Sequence, residues 1–457
     1  MLNPPLSLLP NDLLVLIVEQ LERLPLSKKN LKNLSLADRA FTETCQKFIF
    51  QKLRLGYYGR EILSKDLEKV KKFLENKPLL AKQVRVVQFG FRLLGESPFL
   101  FKDPNFTSIL QLLAKSVMPP RELNFSGLAT VSSIIKSPTF LTRQLADSFF
   151  SQSLTILRLS NIANAPLPLF LICPKLREVF LDSVEASGKS YDSYPDDLCS
   201  GREAPLLEFL EYRNSHTLVE QMIVPPPRFN TPVVLLSNLR VLKLAPHDEE
   251  GMTYLQPILD VACNTLEELY LTSFILGSRC LQFLIIRSEF WTNFFWSVRF
   301  LPLAAHMNLS NLPNLQVFSL SAILNTGKQR IKRWHDPPSE LSALDDINTV
   351  LATIPLCNRM TNLWFDFLTA CSLPSDECLD QNWVGMFNEI IRIGGEKPLE
   401  LELEMEVSPS TRADELHMRI MEKATLLSDY PNICSHWWNP TPRSRVHHHQ
   451  VRTRCRR

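Results

Sequence analysis

The sequence predicts an α/β chain: a three-helix head over the first 55 residues, then a solenoid whose units form an open curved sheet with helices on its convex side. Three observations carry this. Apolar residues near the N-terminus recur at helical steps. Beyond residue 55, short segments of the form Leu-x-x-Leu-x-Leu recur, with the two-residue period of a strand. Glycine is scarce (13) and proline plentiful (32) among 457 residues, which suits many short connections better than glycine-rich phosphate loops.

The head reads in order from Leu9. Pro10, Asn11 and Asp12 make a helix start, and Leu13, Ile17, Leu21 and Leu24 then share one face at steps of four, four and three. Pro25 ends that helix. A basic connection, Lys28-Lys29, leads into Leu31, Leu34, Leu36 and Ala37, and a third segment turns Phe41, Cys45, Phe48 and Phe50 toward a common core before Leu53. So small a piece buries little surface unaided, and it needs a partner or a neighbouring domain.

The strand register is visible at Val84/Val87/Phe89, Leu123/Phe125, Leu154/Leu157/Leu159, Leu176/Val179/Leu181 and Leu207/Leu210/Tyr212. It continues at Leu239/Leu242/Leu244, Leu266/Leu269/Leu271, Leu315/Phe318/Leu320 and Met360/Leu363/Phe365. From Leu154 the starts are 22, 31, 32, 27, 49 and 45 residues apart, so the units are irregular and some carry insertions. Helical spacing lies between them, most clearly at Tyr254 to Ala262 and at Leu341 to Ile354. This alternation is the signature of a leucine-rich-repeat solenoid, in which no unit buries its apolar face alone and stacking makes one continuous core. Surface loops are expected at Ser183 to Ala204, Pro225 to Pro232 and Asn325 to Ser339. The alternating Leu399 to Val407 reads as a last, exposed-edge strand whose glutamates discourage further pairing. The expected division is residues 1–55, 56–430 and a basic, disordered tail over 431–457.

Composition narrows the function classes. The net charge is +2, and six arginines (Arg443, Arg445, Arg452, Arg454, Arg456, Arg457) lie in the last fifteen residues, so the body is slightly acidic and nucleic acid is not expected as a partner. Ten cysteines are scattered without paired spacing; Cys45, Cys173, Cys263 and Cys357 sit among apolar neighbours and read as reduced core thiols. The N-terminus lacks the basic start and apolar stretch of a secretory signal, and no run approaches the ~20 residues that span a bilayer. An intracellular, soluble protein with no membrane partner is expected, and the sequons at Asn105, Asn124 and Asn308 are then chance matches.

Rival chemistry finds little support. Ser187-Gly188-Lys189-Ser190 imitates the end of a phosphate-binding loop, but Ser183 stands where the first glycine belongs. Cys434, His436 and His447 to His449, like Cys371 with Cys378, lack the paired ligands of a structural zinc site, so neither cofactor nor metal is expected. No nucleophile elbow, zinc-protease helix or kinase signature is present, so no enzyme is expected. Trp291, Phe294, Phe295 and Trp296 read as core at helical spacing, and the arginine tail as a solvated terminus.

The string Leu9-Pro10-Asn11-Asp12-Leu13-Leu14, with Ile17, Leu21, Leu31, Leu34-Ser35-Leu36, Phe41 and Phe50-Gln51-Lys52-Leu53, resembles the F-box motif. The whole is similar to the F-box proteins with irregular repeats abundant in mushroom-forming fungi, and Lys77 to Arg85 resembles the strand that comes after their F-box. Asp12 stands where Glu is commoner, and Phe41 replaces a frequent Trp, keeping the bulk but losing the indole donor. The resemblance implies a non-catalytic substrate-recognition subunit of a Skp-cullin-F-box ubiquitin ligase. The head would bind a Skp-type adaptor, and through it a cullin, through Leu9, Pro10, Leu13, Leu14, Ile17, Leu34 and Leu36. Leu21, Phe41, Phe50 and Leu53 would hold the three helices together. The solenoid would present an unidentified target protein near the charged conjugating enzyme. The alternative is a leucine-rich-repeat interaction scaffold not coupled to ubiquitination.

Overall fold

The computed structural model describes residues 10–23, 27–55, 60–90, 103–127, 133–134, 149–186, 202–224, 231–246, 249–272, 274–275, 299–300, 302–324, 342–369, 382–406 and 413–437. Leu9, Leu24, the phosphate-loop imitation at 187–190, the 325–339 insertion, the aromatic cluster at 291–296, Cys371, Cys378 and the tail from 438 onward lie outside them. The described residues divide between two compact units, Met1–Leu207 with Thr217–Leu235, and Glu208–His216 with Leu236–Arg457. The boundary expected at residue 55 therefore falls inside the first unit.

Three helices open the chain: α1 (Asn11–Arg23), α2 (Ser27–Ala37) and α3 (Thr42–Phe50). A short 3-10 turn, Arg39–Phe41, links the last two, and Asp38 caps it by accepting from the Ala40 N–H at 2.8 Å. The Thr42 hydroxyl donates to the Ser35 carbonyl at 3.0 Å and ties α3 back to α2. Lys28 and Lys29, expected as a connection, lie in the first turn of α2.

From there the first unit is a parallel sheet. Its strands are β1 (Lys52–Leu55), β2 (Val86–Gly90), β3 (Glu122–Ser126), the two-residue β4 (Ser133–Ile134), β5 (Ile156–Ala165) and β6 (Glu178–Ala186). β1, β2, β3, β5 and β6 pair in that order, and β4 adds to the far end of β5. Helical connections precede most steps: Arg60–Asn76 and Pro78–Ala81 before β2, Pro104–Ala114 before β3, and Pro168–Leu171 before β6.

The second unit repeats the plan with β7 (Phe209–Arg213), β8 (Val241–Ala245), β9 (Glu268–Thr272), the short β10 (Phe274–Ile275) and β11 (Arg299–Phe300), β12 (Val317–Leu324), β13 (Asn362–Thr369), β14 (Leu399–Glu406) and β15 (Ile433–Trp437). β7, β8, β9, β12, β13, β14 and β15 pair in parallel, whereas β10 and β11 form an antiparallel ribbon. Helices Leu255–Val261, Ala343–Ala352 and Trp383–Gly394 occupy connections between strands, the first two where helical spacing predicts them.

The physical reason for the repeat is visible in the burial. Strand residues alternate between half-buried and buried, as at Glu122 to Ser126 and Glu268 to Thr272, so each strand commits one face to the core. The first leucine of each segment stands two residues before its strand and is buried too, as at Leu154, Leu176, Leu207, Leu239, Leu266 and Leu315. The residue just ahead of a strand offers its carbonyl to two successive N–H groups of the next unit. Gln51 does so to Arg85 and Val86, Arg240 to Glu267 and Glu268, and Gln316 to Thr361 and Asn362. Aromatic rings fill the core, with Phe89 stacked on Phe125 at 4.9 Å and Phe365 on Phe367 at 5.8 Å.

Four expectations are corrected. Ser183 does not begin a loop: β6 runs on to Ala186, with Ser183 at φ 56 and a register shift in the neighbouring β5 that absorbs the bend. β14 is no edge strand, because β15 pairs with it from Leu399 to Leu403. Cys434 and His436 accordingly lie on a strand, their side chains 3.5 Å apart. Of the expected core thiols, Cys45 and Cys173 are buried, but Cys263 is only partly so and Cys357 is exposed.

Candidate docking site

The head builds its own small core from Leu14, Val18, Leu31, Phe41 and Cys45, with Leu21, Leu34, Ala40, Phe48 and Ile49 packed against it. Burial pushes the Cys45 thiol above its ordinary pKa, as an apolar, unpaired position should. The stripe that α1 turns inward is thus Leu14, Val18 and Leu21, at steps of four and three. The face expected from Leu13 and Ile17 is rotated by one residue, about 100° around the helix.

That rotation reassigns the residues. Leu13 is 45% exposed, Leu16 51% and Ile17 37%, and these three share one face at steps of three and one. Leu36, on α2, is 86% exposed. Pro10 is exposed, and its carbonyl accepts the Leu13 and Leu14 N–H groups at 3.0 and 3.2 Å to start α1. Leu14, expected on the docking face, is only 4% exposed and belongs to the head's interior; Leu34 is half-buried against the same interior.

Of the residues expected to hold the helices together, Leu21 and Phe41 do so. Phe50 and Leu53 are corrected: they join the head to the first parallel sheet and its leading helix. Phe50 stacks on Phe73 of the helix Arg60–Asn76 at 5.8 Å, and Leu53 lies in β1 opposite Val87. Leu16 and Val15, the latter 37% exposed, were missed by stepping along a single face. The signal for them was the unbroken apolar run Leu13 to Val18, which covers a helix all round.

The outward positions of the strands form the second surface. In the first unit Lys52 and Arg54 on β1 stand near Lys28 of α2; burial first, then the neighbouring cations, lowers the pKa of Lys28 and Lys52. Arg158 on β5 donates to Glu122 at 2.9 Å and lies 3.3 Å over the Phe180 ring. In the second unit one outward row crosses the sheet as Glu211, Lys243, Tyr270, Ser319, Trp364, Glu402 and His436. Lys243 sits 4.7 Å from the Tyr270 ring, whose hydroxyl donates to Glu268 at 2.8 Å. Tyr270 and Trp364 are 6.1 Å apart. No leucine pattern marks this row, because it consists of the positions between the leucines.

Among the described residues no group of three His, Cys, Asp or Glu is placed to hold a metal ion. No helix among them is long and apolar enough to cross a membrane. The two surfaces are an exposed aliphatic patch on the head and an aromatic and charged face on the sheets. A scan against models of known protein families returns no match, and no curated protein matches the chain.

Proposed function

We propose that the chain is a substrate-recognition subunit of a Skp-cullin-F-box ubiquitin ligase, docking a Skp-type adaptor through an F-box-like head and holding a target protein on a leucine-rich-repeat solenoid. The observation that carries this reading is the head's uncovered patch. Leu13, Leu16 and Ile17 stay exposed on a helix whose adjoining stripe, Leu14, Val18 and Leu21, packs into a core of its own. A three-helix piece folded around one core, with a second apolar face left over, has the construction of a docking module. The strand-and-helix plan of each unit supports the solenoid, which in this reading does no covalent chemistry and acts by raising the target's effective concentration.

Each leucine covered by a partner contributes about 1.5–3 kcal/mol. Leu13→Ala with Ile17→Ala is therefore expected to weaken adaptor binding at least a hundredfold, since ~1.4 kcal/mol is tenfold. The experiment is isothermal calorimetry of the full chain, wild type and double variant, against a purified Skp-type adaptor with its cullin. Micromolar or tighter binding that the double variant loses supports the reading. Absence of binding by the wild-type chain overturns it, and leaves an interaction scaffold that uses its open sheet faces alone.

A further inference from the structure

Where the head meets the first parallel sheet, four cations gather. Lys52 and Arg54 hold alternate, outward positions of β1, in register with Val86 and Gln88. Lys28 and Lys32 lie one turn apart on α2. Lys28, Lys32 and Arg54 are exposed, and Lys52 is half-buried. The two pairs feel each other. Burial comes first in lowering the pKa of Lys28 and Lys52; Arg54 and Lys32 then act on Lys28, and Arg54, Arg158 and Lys28 on Lys52, against an opposing pull from Glu122.

Among the described residues none of these four cations forms an ion pair. Arg158, farther along the same face, is different: Glu122 holds it at 2.9 Å, and it lies 3.3 Å over the Phe180 ring. Like charges held together without counter-charges repel, and an anionic partner relieves that repulsion while gaining speed and selectivity of encounter.

Spacing narrows the class of anion. Alternate strand residues are ~6.6 Å apart, and residues one helical turn apart are ~5–6 Å apart, so the charges form an array and not a cradle for one phosphate. An extended peptide presents alternate side chains at the same ~6.6 Å repeat. Acids bound the array, since Glu122 on β3 and Glu178 on β6 continue the row of Lys52 across the sheet. A nucleic-acid backbone crossing the strands would run into them, whereas a peptide lying along β1 and α2 would not.

We propose that Lys28, Lys32, Lys52 and Arg54 form a docking surface for an extended acidic segment of a target protein, whose Asp or Glu side chains at alternate positions meet them. This rests on the target-holding reading of the solenoid and not on the head's adaptor.

The test uses the full chain without adaptor and a fluorescent peptide of alternating Glu and Ser, about twelve residues long, read by anisotropy at low salt. The wild-type chain is expected to bind it, and a peptide of alternating Gln and Ser should not bind. Changing Lys28, Lys32, Lys52 and Arg54 together to Gln should weaken binding about tenfold or more. A control that removes the same charge elsewhere, with the exposed Lys77, Lys82, Lys115 and Lys175 changed to Gln, should bind as the wild type does. Lys28→Arg, Lys32→Arg and Lys52→Arg together keep the charges and should also keep binding. No binding by the wild-type chain, or equal weakening in the two Gln variants, overturns the proposal. So does displacement of the peptide by inorganic phosphate at the same ionic strength, or tighter binding of duplex DNA through the same four residues. Because no adaptor is present, each of these failures leaves the calorimetric test of adaptor docking untouched.

Discussion

The head and the sheets treat apolar residues differently. In β9, Leu269 and Leu271 face the core and Glu268, Tyr270 and Thr272 face out, so the strand's two-residue period alone disposes of every large apolar side chain. In α1, six consecutive apolar residues run from Leu13 to Val18, and only Leu14 and Val18 are buried. A helix buries one stripe against its neighbours, and a run that encircles it leaves the rest uncovered. The difference separates residues that serve the core from apolar residues left at the surface.

The largest expected effect lies in the sheet. Phe365 is buried between Phe318 and Phe367, and Phe365→Ala should destabilise the second unit by about 3–5 kcal/mol. Urea unfolding followed by circular dichroism measures it. A loss under about 1 kcal/mol would mean that this core is far looser than its ring stacking implies.

The sharpest contrast is between adjacent residues of the head. Leu14→Ala should cost about 2–5 kcal/mol, because it opens a cavity in the head's core. Leu13→Ala should change stability by less than about 0.5 kcal/mol. Hydrogen exchange of α1 to α3 in the two variants checks this, and equal loosening by both would erase the distinction between inward and outward faces.

A smaller effect concerns a buried acid. Asp346, in the helix Ala343–Ala352, accepts the Leu303 and Ala304 N–H groups at 2.6 and 3.1 Å and so pins the segment ahead of β12. Burial raises its pKa, against the opposing pull of those two bonds and of His306. The folded chain therefore holds this proton more tightly than the unfolded chain does. Its contribution is full below the unfolded pKa of 3.8 and is lost as pH rises through the folded value. Asp346→Asn should cost about 1–3 kcal/mol near pH 4 and less toward pH 7, read as thermal stability across that range. A cost that grows with pH would reverse the sign.

What was legible in the sequence was whatever local period dictates. The strands around Leu157, Leu242, Leu269 and Phe365 fall where the leucine register places them, since alternation fixes which side chains face inward whatever lies alongside. The position of α1, α2 and α3 came from helical spacing in the same way. The phase of α1 did not, because an all-round apolar run contains several equivalent stripes and only packing against Leu31, Phe41 and Cys45 selects one. β14 looked like an edge for a related reason: alternating Leu and Glu is compatible with one neighbour or two, and the Ile433–Trp437 strand that pairs with it has no leucine register of its own.

The amino-acid sequence by itself determined the inward half of this protein, the leucines and phenylalanines whose spacing is set by backbone geometry within a single strand or turn. Only the tertiary structure decided the outward half: which side of α1 stays bare, and that Asp366 meets Glu404 and Trp364 meets Glu402. Cross-strand neighbours are separated by connections of unequal length, so their register is set by how the units pair and not by any interval along the chain.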